Sequence, residues 1–337
     1  MPQETNRPLR LLVIVTPSFN LLATTGFVDP LRAANYLAGT VRVGWQFAST
    51  EGGMVKASNG MSVETRALAG VASDSFDIVV VSSSWSPEAH AEPQLLIALR
   101  RWARNGATIG ALDTGAFILA QAGLLKGRRA TVHYEHIDAL GELHDDIDVS
   151  EDLFVLVPQR FTCSGGAAAI DMGLHILRSH CGNSLANAAA RYIFHPTIRP
   201  ENSPQNPLTL EPLGYTTPKA LRQVIALMEK HLEEPLTIPE FCNRVGMSQR
   251  QINRLFERYI GKTAVIYYRD IRLDRARGLV TQTDLQMAQI AAASGFTSQA
   301  HFSKAYRERF GISPRTDRSE GRIPFEFRAW PMHRKDS

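Results

Sequence analysis

The chain has 337 residues, of which 44% are hydrophobic, 21% charged and 8% aromatic, a composition that excludes a disordered or fibrous protein. Its length predicts at least two domains. The net charge of +4 is uneven, since residues 1–200 carry 16 Lys and Arg against 18 Asp and Glu, and residues 201–337 carry 21 against 15. This division favours one domain for a small molecule and one for a polyanion, although random surface variation would also produce it.

The three cysteines indicate a reducing compartment. They have no CxxC spacing, so they predict neither a disulfide framework nor a zinc cluster: Cys163, Cys181 and Cys242. The longest apolar run near the N-terminus, Leu11–Val15, is too short for a membrane span or a signal peptide. We therefore expect a cytoplasmic protein without membrane contact.

Strand-like and helix-like patterns alternate up to about residue 195. Continuous apolar runs predict strands at Leu11–Val15, Val43–Ala48, Phe76–Ser82 and Ala107–Leu112. Helical patterns predict Gly26–Ala38, Leu95–Arg104, Ala116–Ala122, Gly165–Arg178 and Leu185–Phe194. The alternation predicts an α/β sandwich, a flavodoxin-like parallel sheet with helices on both faces. Ligands bind such sheets at the carboxyl ends of the strands, here after Val15, Ser82 and Leu112.

A proline-rich segment divides the chain. Six of the 18 prolines lie between Pro196 and Pro218, and proline disfavours helix in the residue before it. We predict a sensing domain over 8–195, an extended linker over 196–217, a second domain over 218–318 and a tail over 319–337.

The second domain is predicted to be all helical, with two helix-turn-helix units. The predicted helices are Pro218–Leu232, Ile238–Val245, Ser248–Tyr259, Ile266–Leu279, Met287–Ala293 and Ser298–Phe310. Two of them begin at a serine that follows a glycine turn and carry an apolar stripe on one face. Their other faces hold side chains suited to bases and phosphates, namely Gln249, Arg250, Asn253, Arg254, Gln299, His301, Ser303 and Lys304. A plain helix bundle with solvated charged faces is the alternative.

These motifs resemble the DNA-binding domain of the AraC/XylS family of bacterial regulators. The resemblance rests on Gly246-Met-Ser248, on residues 271–277, on Ser294-Gly-Phe-Thr-Ser298 and on His301–Gly311. It implies that the eight polar residues above read two successive major-groove segments of operator DNA. Asp317 departs from the family, which usually has Tyr there, and we expect little consequence at the domain's edge.

The stretch from Gly110 to His133 is the most informative part of the first half. It predicts a buried strand, a sharp turn at Asp113-Thr-Gly115, a helix, and a histidine 20 residues after the turn. This resembles the nucleophile elbow of the ThiJ/PfpI branch of class I glutamine amidotransferase-like proteins. Those enzymes carry Cys where this chain has Asp113, a poor nucleophile. We therefore predict a retained fold, no catalytic residue and no enzyme activity.

The same resemblance implies a cation pocket. Asp29 occupies the place of the acid on the first helix of those enzymes, so we expect Asp29 and Asp113 to approach each other. Carboxylates with nearby aromatic rings suit ammonium and guanidinium groups. The predicted ligand-binding residues are Asp29, Trp85, Asp113, Thr114, Phe117, His133 and Tyr134. Alternatively, Asp113 only caps its helix.

Together the two halves resemble AraC-type activators with an amidotransferase-like sensing domain, whose known members respond to arginine, glycine betaine and carnitine. The resemblance implies an activator of catabolic genes for a nitrogenous metabolite, without cofactor or metal. The implied partners are operator DNA on the nucleoid, a small-molecule effector, RNA polymerase and a second copy of the chain. The alternatives are a ThiJ/PfpI-type hydrolase fused to a DNA-binding module and a constitutive architectural DNA-binding protein.

Overall fold

A central sheet and a helical bundle form two separate units in the computed structural model, which describes residues 7–205 and 218–319. The first unit is Met1–Gln205 and the second is Asn206–Ser337. None of the helices within the described ranges is both long and apolar enough to cross a lipid bilayer.

The sheet of the first unit has eight strands in the order β3-β4-β2-β1-β5-β6-β10-β9. Its strands are β1 (Leu9–Val15), β2 (Val43–Ser49), β3 (Gly53–Lys56), β4 (Ser62–Ala67), β5 (Ile78–Ser83), β6 (Thr108–Asp113), β9 (Phe154–Val157) and β10 (Arg160–Cys163). A separate parallel pair joins β7 (Arg129–Thr131) to β8 (Asp148–Ser150). Pairing is parallel except at the two edges, β3–β4 and β9–β10.

The predicted α/β sandwich is confirmed, and β1 shows why it forms. Leu11, Val13 and Val15 enter one hydrophobic cluster, and Leu12 and Ile14 enter another. Successive side chains of a strand point to opposite faces, so an uninterrupted apolar run requires cover on both sides.

Helices supply that cover. One face carries α1 (Leu21–Ala38), α6 (Ala168–Cys181) and α7 (Asn183–Tyr192), whose side chains join the Leu11 cluster. The opposite face carries α3 (Pro93–Arg104), α4 (Gly115–Gln121) and α5 (Ile137–Leu143), which join the Leu12 cluster. Short elements complete the unit: α2 (Leu68–Val71) and 3₁₀ turns at Pro87–His90 and Tyr134–His136.

The first unit extends ten residues beyond its predicted end. Buried Asp171 accepts hydrogen bonds from the backbone N–H of Arg199 (2.7 Å), from its Nε (2.8 Å) and from His195 Nε2 (2.8 Å). Gln205 Nε2 donates to the carbonyl of Val132 at 2.8 Å. Residues 196–205, predicted as linker, therefore contact α6 and the segment after β7, because proline content alone does not prevent such contacts. The rest of that linker and nearly all of the predicted tail lie outside the described residues.

The second unit is helical throughout its described residues. Its helices are α8 (Lys219–Lys230), α9 (Ile238–Val245), α10 (Gln249–Ile260), α11 (Ala264–Gln282), α12 (Met287–Ala293), α13 (Gln299–Phe310) and α14 (Pro314–Ser319). Phe241, Ile252 and Phe256 lie in one cluster, and Phe302 and Tyr306 lie in a second. Helix α11 contributes to both clusters, so each helix-turn-helix unit has its own small core on a shared helix.

Asp317 is more consequential than its position at the domain's edge predicts. It is fully buried and accepts hydrogen bonds from Tyr306 Oη at 2.7 Å and from Arg277 Nε at 3.0 Å. The carboxylate thus joins α14 to α13 and α11. Burial of such a charge is tolerated because a guanidinium and a hydroxyl both satisfy it.

Candidate functional site

The predicted sharp turn is present at the end of β6. Asp113, the last residue of β6, has φ = +58°, a left-handed backbone conformation that residues other than glycine rarely adopt. Helix α4 begins two residues later at Gly115, where a Cβ would lie 2.4 Å from the carbonyl oxygen of Val81. The turn therefore has the tight, strained geometry of a nucleophile elbow, with an aspartate at its apex.

The carboxylate of Asp113 is almost enclosed, since only 4% of the residue is exposed. Asn20 Nδ2 donates to its Oδ2 at 2.7 Å. Gly165, in the turn between β10 and α6, approaches so closely that a Cβ there would lie 2.9 Å from the Cβ of Asp113. Both contacts hold the carboxylate in one place.

Burial is the main influence on the pKa of the Asp113 carboxyl group. Loss of hydration raises the pKa of Asp113 to about 6, while the positive field of His133 and the hydrogen bond from Asn20 act to lower it. The group is therefore poised to change its charge near neutral pH, and a cation beside it would favour the ionised form.

Other nucleophilic groups near the elbow are buried and, for the two threonines, engaged in hydrogen bonds. Burial raises the pKa of Cys163, on the neighbouring strand β10, to about 12, so its thiol stays protonated. The hydroxyl of Thr114 donates to the carbonyl of Ser84, and that of Thr16 donates to Ser83 Oγ at 2.8 Å. Within the described residues, none of these groups hydrogen-bonds to a histidine that could act as its base.

Three predicted ligand-binding residues have contacts or charge effects that link them to the elbow. His133 influences Asp113 electrostatically, and its ring packs against that of Tyr134 with centroids 4.5 Å apart. Trp85 is half-buried in the turn after β5, next to the Ser84 carbonyl that binds Thr114. Of these side chains, His133 acts directly on the charge of Asp113, and Trp85 and Tyr134 adjoin residues that do so or that contact the turn.

Two predicted residues have other contacts in the structure. The expected approach of Asp29 to Asp113 stays a prediction: Asp29 is half-exposed and pairs with Arg32 at 2.6 Å, whereas the hydrogen bond to Asp113 comes from Asn20. Phe117 is buried in the core, where its ring meets that of His136 edge-on. The Phe117 ring therefore packs under the 3₁₀ turn at Tyr134–His136 and is too buried to contact a ligand.

Asn20 is the residue that sequence reasoning missed. Its Oδ1 accepts from the N–H of Ala23, which caps α1, while its Nδ2 binds Asp113. The sequence pattern predicts this helix from Gly26, whereas it starts at Leu21, and Asn20 was itself the available signal because asparagine is a favoured N-cap.

The predicted absence of a metal site remains untested. Within the described residues, one set of possible ligands converges: single ligand atoms of His133, Glu135 and His136 lie within 4.8 Å of one another. Imidazole and carboxylate groups suit zinc and related ions, but the ring contacts of these histidines account for their positions as well.

In the second unit, both predicted DNA-reading helices begin as the sequence indicates. The side chain of Ser248 caps α10 and forms a capping box with Gln251, and Ser298 caps α13 through the N–H of His301. Gly246 and Gly295, in the preceding turns, both have φ = +69°. Local hydrogen bonds thus fix the start of each helix.

The predicted DNA-reading side chains lie on the outer faces of these helices. Gln249, Arg250, Asn253 and Arg254 line a groove of about 660 Å³ together with Glu257. On α13, Gln299, His301 and Lys304 are exposed and Ser303 is half-buried, opposite the core residues Phe302 and Tyr306. Each helix therefore presents a polar face without disturbing its core.

A neighbouring groove adds residues that sequence reasoning missed. Gln299 lines a cavity of about 380 Å³ with Gln286, at the start of α12, and with Arg315 and Arg318 on α14. Arg315 is exposed, whereas Arg318 donates to the carbonyls of Val280 and Leu285. A basic side chain beside a reading helix is a typical phosphate contact, but no periodic pattern places Arg315 there.

Comparison with known proteins agrees with both units. The chain matches the DJ-1/PfpI family over residues 9–179 and a helix-turn-helix domain over residues 241–320. It is 39% identical to the HTH-type transcriptional regulator CdhR of Pseudomonas aeruginosa, over 91% of this chain and 90% of that protein. It is 34% identical to the HTH-type regulator GlxA of Rhizobium meliloti, over 90% and 94% of the two chains.

Solved structures support the fold of the first unit. Drosophila melanogaster DJ-1beta covers 57% of this chain with all of its own length, at 22% identity and a TM-score of 0.50. A ThiJ/PfpI family protein from Pseudomonas syringae covers 73% of this chain with 93% of its own, at 18% identity and a TM-score of 0.51.

Fold and site together define a DNA-binding transcriptional regulator whose first domain is of the DJ-1/PfpI type. The strained turn is retained and carries aspartate at its apex. The chain belongs to the AraC-type helix-turn-helix regulators with an N-terminal DJ-1/PfpI domain, as its full-length relatives indicate.

We predict that Asp113→Asn stabilises the protein at neutral pH. The raised pKa means that the folded state binds the proton more tightly, so Asp113 costs stability once the pH rises from about 4 through about 6. The variant should gain about 2–3 kcal/mol in free energy of unfolding at pH 7.5, and the gain should vanish at pH 4. Urea unfolding at both pH values measures this difference.

The matched control is Asp148→Asn, which removes an exposed carboxylate of the same unit. Its free energy of unfolding should follow that of the native chain at both pH values. A gain for Asp113→Asn that is equal at pH 4 and pH 7.5 would contradict the assignment.

Proposed function

We propose that this protein is a transcriptional activator of catabolic genes that responds to a small nitrogenous metabolite. The effector binds at the Asp113 elbow, and the two helix-turn-helix units bind operator DNA. The observation that carries the proposal is the aspartate held, buried and strained, at the apex of a turn that presents a nucleophile in related enzymes.

The two reading helices give the DNA-binding part its physical basis. Arg250, Asn253 and Arg254 on α10 can donate to base edges, and so can Gln299 and Lys304 on α13. Arg315 and Gln286 lie beside α13, where we assign them to phosphate contacts that position the unit without reading sequence. The surplus of basic residues after position 200 makes the affinity for DNA fall with salt.

The effector class follows from the charge of the elbow. Burial makes the ionised form of Asp113 costly, and a cation beside it offsets that cost. Trp85, Tyr134 and His133 are the ring-bearing side chains near the turn, and aromatic faces attract quaternary ammonium and guanidinium groups. Metabolites such as glycine betaine, carnitine and arginine have such groups.

Regulation requires that the effector prefer one state of the protein. A ligand shifts an equilibrium only by its differential affinity for the two states, here the DNA-competent state and its alternative. We propose that the competent state is a homodimer bound to the operator on the nucleoid, in the cytoplasm, where it contacts RNA polymerase.

The proposal includes the absence of enzymatic activity. Its support is that the elbow lacks a thiolate: Asp113 stands at the apex, and the pKa of Cys163 is far above neutral pH. The relatives of this chain are named transcriptional regulators, which agrees with a sensing role for the DJ-1/PfpI domain.

We predict that Arg254→Ala lowers affinity for the operator more than tenfold, because one specific base contact is worth about 1–3 kcal/mol. A gel-shift titration at fixed salt with the full-length chain measures this. Lys230→Ala, which removes an equal charge from the exposed surface of α8, is the control and should change affinity far less. Equal losses in both variants would mean that Arg254 acts only through net charge.

We predict that the effector response depends on Asp113 and not on Asp29. Titration calorimetry of the full-length chain with glycine betaine, carnitine and arginine should give saturable binding for one of them. Asp113→Asn should lower that affinity at least tenfold, since it removes the negative charge, while Asp29→Asn should leave it unchanged. The cation site would be refuted by the same affinity in Asp113→Asn, or by no binding of any of the three.

A further inference from the structure

Phe194, just after α7, combines two unfavourable features. It has φ = +57°, in the left-handed region where glycine usually ends a helix, and it is 93% exposed. The backbone bonds around it are those of a closed helix end, from Phe194 N–H to Arg191 O and from His195 N–H to Ala190 O. Because both the strained backbone and the exposed ring of Phe194 cost stability, we look for a functional role of this residue.

The ring of Phe194 borders a cavity of about 580 Å³, within the usual size range of small-molecule sites. Apolar walls come from Ala190, Phe194, Pro196 and Ile198, and polar groups come from Arg178, Asn187, Arg191 and His195. All of these residues belong to α6, α7 and the segment that follows. The cavity is therefore separate from the elbow site.

The polar lining is positively charged. Arg178 and Arg191 both contribute, and no Asp or Glu lines the cavity within the described residues. The Nε of Arg178 is buried without a hydrogen-bond partner, and the structure gives neither guanidinium an ion-pair partner in its described ranges. Buried donors are normally satisfied, so this arrangement favours a ligand that supplies acceptors.

The lining residue His195 is held in place by a buried carboxylate. His195 Nε2 donates to Asp171 at 2.8 Å, and Arg199 pairs with the same carboxylate at 2.6 Å. Asp171 is fully buried and its hydrogen bonds go to His195 and Arg199, not to Arg178 or Arg191. The lining is thus preorganised, which reduces the cost of ordering on binding.

We propose that this cavity is a second ligand site, for a small organic carboxylate with an aromatic or branched apolar body. The carboxylate binds Arg178 and Arg191, with the amide of Asn187 as a further donor, and planar guanidinium groups suit this geometry. The apolar body packs against Phe194 and Ile198. The left-handed backbone at Phe194 holds the ring at the rim of the cavity. This site would therefore bind an anion, whereas the elbow would bind a cation.

Titration calorimetry of the full-length chain with benzoate tests the site, with benzamide and benzylammonium as probes of similar shape and different charge. Benzoate should bind at least tenfold more tightly than either. Arg178→Gln and Arg191→Gln should each weaken benzoate binding at least tenfold, because each removes a charged donor. Arg104→Gln, an exposed arginine on α3, should leave it unchanged.

A second variant separates binding from folding. Phe194→Gly should raise the melting temperature, since glycine accepts the left-handed backbone, and should weaken benzoate binding through loss of the ring. The proposal is overturned by benzamide binding as tightly as benzoate, by no saturable benzoate binding at millimolar concentration, or by full benzoate affinity in both arginine variants. Unchanged benzoate affinity in Phe194→Gly removes the role assigned to the ring.

Discussion

The burial of the Asp113 carboxylate in a left-handed turn is the constraint on which the first unit depends. Parallel pairing of β5 with β6 places Ser83 beside Asp113, and the close approach at Gly115 lets the chain turn into α4. The cap of α1 donates to the carboxylate through Asn20. Elements from distant parts of the chain therefore meet at a single acid.

Burial of the Asp113 carboxylate lowers the stability of the folded chain. A buried carboxylate whose pKa is raised to about 6 lowers the free energy of unfolding at neutral pH, and the strained backbone adds to the cost. Such costs persist where a function needs the residue. The apex carries aspartate in place of a thiol, and in the proposed function this carboxylate is a fixed site for positive charge.

The second unit holds the two predicted DNA-reading helices, α10 and α13, in place. Each helix-turn-helix unit has its own apolar cluster, and α11 runs through both. Asp317 connects α14 to α11 and α13 within this unit through Arg277 and Tyr306. Serine caps then fix where α10 and α13 begin, so that their outer polar faces are set by local hydrogen bonds.

Much of the fold could be predicted, because continuous apolar runs and helical stripes are local signals. The four predicted strands and both helix-turn-helix units are present. The strands β3, β4, β9 and β10 were missed because they are short, and β3 and β4 are also largely exposed and lack an apolar run. The boundary near residue 205 was missed because it depends on contacts of Asp171 with residues far along the chain.

The candidate site was predictable only in part. The turn at Asp113 follows from a strand, a tight Asp-Thr-Gly and a helix, all adjacent in sequence. The partner of Asp113 depends on where α1 begins, because Asn20 is its N-cap, whereas Asp29 was expected there from the family resemblance alone. Side chains that converge from separate elements, such as those around Phe194, carry no sequence signal at all.

The most direct test of the central claim is the proton balance of effector binding. Calorimetry at pH 6 in two buffers of different ionisation enthalpy, with the nitrogenous effector that binds, measures how many protons are released. A cation at Asp113 should release about half a proton at pH 6 and almost none at pH 8, because the carboxyl is half-protonated near its pKa. No release at pH 6, or the same release in Asp113→Asn, would contradict the account.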